Sequence, residues 1–179
     1  MAPQQKAIRG LYSGGTLAHE AVLVLEPLLG SVATNLGQAT YAPHHVLDMG
    51  AEEFTIGRPH PMLDSTLRVE AIQSAAKEPE VAVLLLDIVL GSGVARDPAG
   101  DLAPAIQAAQ AAARACGRSL AVVASVTGTS ADPQNLEAQS ARLQAAGAWL
   151  LPSNAQAARA AACIVGGDAV MRRLGLGDR

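Results

Sequence analysis

Residues 81–90, Val-Ala-Val-Leu-Leu-Leu-Asp-Ile-Val-Leu, place the tightest limit on what this chain can fold into. The run lacks the apolar–polar alternation of a strand that shows one face to water. It is also too short to cross a bilayer as a helix, which takes about 20 residues. Glu78-Pro79-Glu80 on one side and Gly91-Ser92-Gly93 on the other bound it as breakers. A run of this kind fits a central strand of a parallel sheet, covered by helices on both faces. Asp87 is its single polar side chain. Near the strand's carboxyl end it either meets a polar ligand or accepts amides from Gly91 and Ser92.

The rest of the chain alternates strand and helix around that run. Residues 6–12 read as a strand, and residues 16–29 as an amphipathic helix with Thr16 as its cap and Gly30 as its stop. Residues 31–43 are small and polar and read as a loop with one short strand, before a strand over 45–48. A long connection over 49–63 leads to a helix capped by Asp64 and running to residue 77. After the central strand, a polar connection over 94–100 precedes a helix opening at Asp101 or Pro104. A buried strand over 120–126, a Thr127-Gly128-Thr129-Ser130 turn and a helix from Asp132-Pro133 to residue 146 follow. A last strand over 148–151 and a Ser153/Gln156 capping box complete the pattern. Five strand–helix units predict an α/β fold in three layers, with a five-stranded parallel sheet in the flavodoxin-like order 2-1-3-4-5. Residues 6–166 form one domain in this reading, with 1–5 and 167–179 as terminal extensions.

Such folds bind ligands outside the carboxyl ends of their strands. The unusual loops all fall on that edge. The first is Ser13-Gly14-Gly15-Thr16-Leu17, a glycine turn from strand into helix. Gly14 and Gly15 leave the first amides of the helix, at Thr16 and Leu17, uncovered by side chains, beside the positive end of its dipole. That makes a phosphate or carboxylate site. The second is the 49–63 connection, where Arg58 and His60 alternate with Pro59 and Pro61 on a stiffened segment. A guanidinium and an imidazole there suit the same anion, the alternative being an exposed loop that pairs with Asp64 or Glu52. His19 reads as a surface residue, and His44-His45 have no carboxylate or cysteine at ligand spacing, so no metal is expected.

Net charge of −3, only 2% aromatic residues and no basic patch oppose a nucleic-acid partner. The scarcity of aromatics also opposes a flavin, whose ring needs aromatic walls. Cys116 and Cys163 are isolated in apolar helical contexts and read as reduced core thiols of a cytoplasmic protein without a membrane segment.

The sequence from Ser13 to Glu20, Ser-Gly-Gly-Thr-Leu-Ala-His-Glu, resembles the glycine turn that opens the flavodoxin-like domain of the succinyl-CoA synthetase alpha subunit. Leu47-Asp48-Met49-Gly50, Asp64, residues 77–87 and Gly91 continue the resemblance in order over nearly the whole chain. Gly57-Arg-Pro-His-Pro-Met62 and Asp87-Ile-Val-Leu-Gly-Ser-Gly93 are similar to the FdrA proteins, an acyl-CoA synthetase-like branch. The resemblance implies acyl, phosphoryl or carbamoyl transfer carried out with partner domains. It places Asp87 where the alpha subunit has a glutamate that orients a phosphohistidine; Asp87 by that placement and His60 by its position on the stiffened loop are the catalytic candidates. The histidine itself should follow the strand over 120–126, where this chain has Thr127-Gly-Thr-Ser-Ala-Asp-Pro-Gln134 instead. The standard phosphohistidine route is therefore not expected.

No tightly bound cofactor is expected, CoA and nucleotide belonging to missing partner domains. The expected partners are a small-molecule anion and either a second copy of the chain or a ligase or CoA-binding domain. A non-catalytic assembly module that keeps the fold is the rival reading.

Overall fold

A computed structural model describes residues 2–37 and 42–176. Its centre is β4 (Val81–Val89), a strand buried along nearly its whole length. β1 (Ala7–Tyr12) pairs with it on one side and β5 (Ala121–Thr127) on the other, both parallel. β3 (His44–Asp48) and the short β2 (Val32–Thr34) extend the sheet beyond β1, and β6 (Ala148–Leu151) closes the far side. The order is β2-β3-β1-β4-β5-β6, all parallel.

The pleat of β4 divides the core in two. Leu84, Leu86 and Ile88 face α3 (Thr66–Ala75), α4 (Pro98–Ala115) and α5 (Leu136–Ala145). Val83 and Leu85 face α1 (Gly15–Leu29) and α6 (Asn154–Arg173). All five are fully buried, each side chain stabilising by roughly 1.5–3 kcal/mol on transfer from water. On the second face α6 contributes Ala157, Ala158, Ala161 and Ala162, all fully buried. These small side chains let α6 lie close on both the sheet and α1.

The parallel sheet matches the sequence reading, with one strand more. Val32 to Thr34 pair with His44 to Val46 at the sheet edge, so the order 2-1-3-4-5 holds for the other strands and a sixth precedes them. β2, three residues long, is the short strand expected within residues 31–43; its pairing with β3 adds it to the sheet as a sixth member. Positions 38–41 of the same stretch lie outside the described residues.

Several helix starts differ from expectation. α4 begins at Pro98, not at Asp101 or Pro104, because Asp97 accepts from the Gly100 amide as its N-cap. Pro104 lies inside the helix. α5 begins at Leu136, capped by Asn135 in a left-handed conformation (φ 62°). Asp132, expected to be that cap, instead accepts from the amide and hydroxyl of Thr129 and closes the preceding turn. Thr16 does not cap α1; Gly14 holds that position without a side-chain bond. Asp64 accepts from Thr66 N one residue ahead of the formal cap, Ser65. The 49–63 connection contains a short helix, α2 (Glu52–Thr55). Ser153 caps α6 through Gln156 N, as its box spacing predicts.

Gln5, expected in a terminal extension, is buried and donates to the carbonyls of Val81 and Ser119. Cys116 is exposed, not a core thiol, while Cys163 is half-buried, and both are free. No helix among the described residues is long and apolar enough to cross a membrane.

Asp97 also receives Gln139 Nε2 at 2.8 Å and pairs with Arg142, so it ties the start of α4 to α5. The Gln139 bond first, then the Gly100 amide and Arg142, hold its carboxyl below the usual carboxylate range. A group with a depressed folded pKa stabilises above its unfolded value and loses that contribution as pH falls through the folded one. Asp97→Ala should therefore cost about 1 kcal/mol at neutral pH, as typical N-cap losses do. In urea melts the difference from the parent chain should shrink below the usual carboxylate range. A difference that is unchanged with pH would contradict this account.

Candidate functional site

β1 ends at the glycine turn, and the carboxylate of Asp87 fixes that turn from below. Its Oδ1 accepts the Ser13 amide at 2.8 Å, and its Oδ2 accepts the Ser13 hydroxyl at 2.5 Å. Arg68, from α3, donates through Nη2 to Asp87 Oδ1 at 3.1 Å, to the Asp87 carbonyl at 2.6 Å and to the Leu11 carbonyl at 3.0 Å. Asp87 is 0% and Arg68 3% exposed, so this is an ion pair out of reach of water. Burial pushes the Arg68 guanidinium below its usual pKa, with the Asp87 carboxylate opposing that shift. Asp87 thus meets Ser13, not the amides of Gly91 and Ser92.

Tyr12 extends the network to α6. Its hydroxyl donates to Asn154 Oδ1 at 2.9 Å, and Asn154 donates in turn to the Leu17 carbonyl and to Glu20. Burial first, then the carboxylates of Asp87 and Glu20, raise the Tyr12 pKa well above its usual value. The hydroxyl therefore stays protonated.

Above the turn, the β3–α3 connection folds back, and the glycines are the positions that make room for it. A Cβ on Gly14 would lie 3.0 Å from Met62 Cε, and one on Gly15 would lie 3.0 Å from Asp48 Oδ2. One on Gly50 would sit 2.5 Å from His60 Nε2 and 2.8 Å from the Ser13 carbonyl. The turn is thus lined by Met62 and Asp48, not left open by its glycines. Gly14, at the N-cap, gives the α1 amides no side-chain bond, and the first turn of α1 holds no acidic residue. Asp48 anchors its other oxygen on the Gly50 amide.

His60 is brought to this turn. Its Nδ1 accepts from Met62 N at 3.2 Å. That bond leaves the proton of the neutral ring on Nε2, the atom beside Gly50. Arg58 is not brought there: it is exposed, pairs with Glu70 at 3.6 Å and lines a shallow cleft of about 240 Å³ with Asp64 and Leu67. His19 is exposed on α1. No group of three or more metal-ligating side chains gathers among the described residues.

Arg68, Tyr12, Asn154 and Asp48 were not singled out in the sequence. Arg68 carried a signal, since it lies four residues before Ile72 and seven before Ala75. That spacing puts a charge on the buried stripe of α3. Asn154 carried none beyond its place at the start of a helix, and Asp48 only its place at the end of a strand in the Leu47-Asp48-Met49-Gly50 motif.

With this geometry the comparison with known proteins is specific. Residues 11–164 match the CoA-ligase family. The chain belongs to that family. It is also similar to the uncharacterized protein YahF of Escherichia coli strain K12, at 40% identity over 163 residues. The aligned part is 86% of this chain and 32% of YahF, so the chain spans about a third of that relative's length. The family match begins at Leu11, on the rim of the glycine turn, and takes in Ser13, Asp48, His60, Arg68 and Asp87.

In this CoA-ligase domain the buried pair should dominate local stability. Arg68→Met leaves Asp87 unpaired and should cost about 3–5 kcal/mol, and Asp87→Asn leaves Arg68 in the same position. An asparagine at 87 still accepts from the Ser13 amide, so the double variant should recover at least 1 kcal/mol relative to the summed single losses. Urea unfolding of the four proteins measures this. Additive losses would mean that the two side chains are not coupled.

Proposed function

We propose that this chain is the CoA-ligase-type domain of an FdrA-like, acyl-CoA synthetase-related protein. Its part is to bind a phosphate- or carboxylate-bearing group at the N-terminus of α1 during acyl, phosphoryl or carbamoyl transfer. CoA and nucleotide come from partner domains. The observation that carries this reading is the uncapped start of α1, held in place from below by Asp87. The amides of Gly15, Thr16 and Leu17 point outward at the positive end of a 15-residue helix.

In this reading Asp87 is a positioning residue, since Ser13 and Arg68 use both of its oxygens. His60 is the imidazole beside the turn and, in this reading, the group that exchanges a proton with a bound ligand. Arg58 would have to leave Glu70 to take part. Asp48 Oδ2, the carboxylate oxygen that a Cβ on Gly15 would meet, opposes an incoming anion by like-charge repulsion. The rival reading, a non-catalytic assembly module, draws on the same facts: Asp87 is fully engaged, and the turn after β5 has no histidine.

Phosphate titration of the chain, followed by NMR amide shifts, separates the two readings. The amides of residues 14–18 should move with a millimolar constant, on the order of 4 kcal/mol of binding. Asp48→Asn, by removing the competing charge, should tighten binding several-fold. If those amides stay still while others move, the turn is only a connection and the assembly reading stands.

A further inference from the structure

α6 does not run straight. At Gly167 the backbone leaves the helix (φ 54°, ψ −141°), a conformation reserved for glycine. At Gly166 a Cβ would collide with Val170 and crowd Leu29. The pair of glycines lets the last part of α6 fold back, burying Val170 and packing Leu174 against the α1–α6 core. Arg173 is fixed by donating to the carbonyls of Pro27 and Leu28 at the end of α1.

Between the two arms lies a groove of about 660 Å³, a size typical of small-ligand sites. Leu151, Ala160, Cys163, Leu174 and Leu176 make its apolar wall. Arg159 and Arg173 are its only charged lining groups, with no carboxylate among the described residues. The groove is lined from β6, α6 and the segment just after it, by none of the residues that bond to Asp87. An apolar wall with two guanidiniums and, among the described residues, no counter-charge complements an amphiphilic anion. The planar guanidinium fork matches a carboxylate, and the aliphatic wall requires a ligand that brings a hydrocarbon chain.

We propose that this groove binds an aliphatic monocarboxylate, its carboxylate held by Arg159 and Arg173 and its chain laid on Leu151, Ala160 and Leu174. Cys163 lies in the wall and reports occupancy, while Cys116, exposed on the far side at the end of α4, serves as an internal control.

The test is alkylation of the intact chain by iodoacetamide, with each cysteine followed by peptide mass spectrometry in the presence of octanoate, octanol or octyltrimethylammonium. Octanoate at millimolar concentration should slow Cys163 alkylation and leave Cys116 unchanged, whereas the alcohol and the cation should protect far less. Arg159→Gln, at an exposed position that does not hold α1 and α6 together, should raise the octanoate concentration needed by about tenfold. Equal protection by octanol would overturn the proposal by showing a merely greasy surface. Equal slowing of both cysteines, or no protection by octanoate at all, would overturn it as well. Because phosphate binding at the α1 turn is read independently, failure of either site leaves the other untouched.

Discussion

A buried carboxylate at the end of the central strand is the constraint on which the rest of this structure depends. Asp87 is fully enclosed, and an unpaired charge in such a place is not tolerated. Everything around it answers that demand. Ser13 turns both its amide and its hydroxyl inward, so β1 must end where it does and the glycine turn must start there. Arg68 supplies the opposite charge and at the same time takes up the carbonyls of Leu11 and Asp87, at the C-terminal ends of β1 and β4. α3 is thereby tied to the sheet by a polar bond as well as by apolar packing. The start of α1 is consequently set relative to β4 by hydrogen bonds, not by the loop alone.

The second constraint is space. Gly14, Gly15 and Gly50 are approached by Met62, Asp48 and His60 respectively, so the β3–α3 connection can lie directly over the turn. On the other face the alanines of α6 allow close approach to α1, and two glycines then fold the end of that helix back. Small residues thus do different jobs at the two places. At the turn they admit side chains from another loop, and in α6 they set the distance between layers and the position of the bend.

How much of this was legible in the sequence follows from the range of the interactions involved. The continuous apolar run at 81–90, the strand–helix alternation and the carboxyl-edge loops are local patterns, and they led to the parallel sheet and to the right edge. β2 was visible only as an uncertain short strand, because three residues at a sheet edge depend on their partner, β3, for their identity. The start of α4 was misplaced because Asp97-Pro98, a cap followed by a first-turn proline, was read as part of a loop. Asp87 and the glycine turn stood out from composition, but their direct contact spans 74 residues of sequence and no periodicity encodes it. The role of Arg68 was readable in principle, from a charge on a buried helical stripe. The sequence reading ends the domain at the Gly166-Gly167 pair, but the fold-back beyond it, which buries Val170 and ties Arg173 to Pro27 and Leu28, rests on contacts about 145 residues apart in sequence that no local pattern encodes.

Asp87 fastens the Ser13 amide as firmly as the sheet itself is fastened. Native-state hydrogen exchange at single-residue resolution tests it directly. The Ser13 amide should exchange only through global unfolding, with the same protection free energy as Leu85 in β4, while Gly15, Thr16 and Leu17 exchange by local fluctuation. If Ser13 exchanges as fast as Gly15, the bond to Asp87 does not hold the turn and the account is wrong.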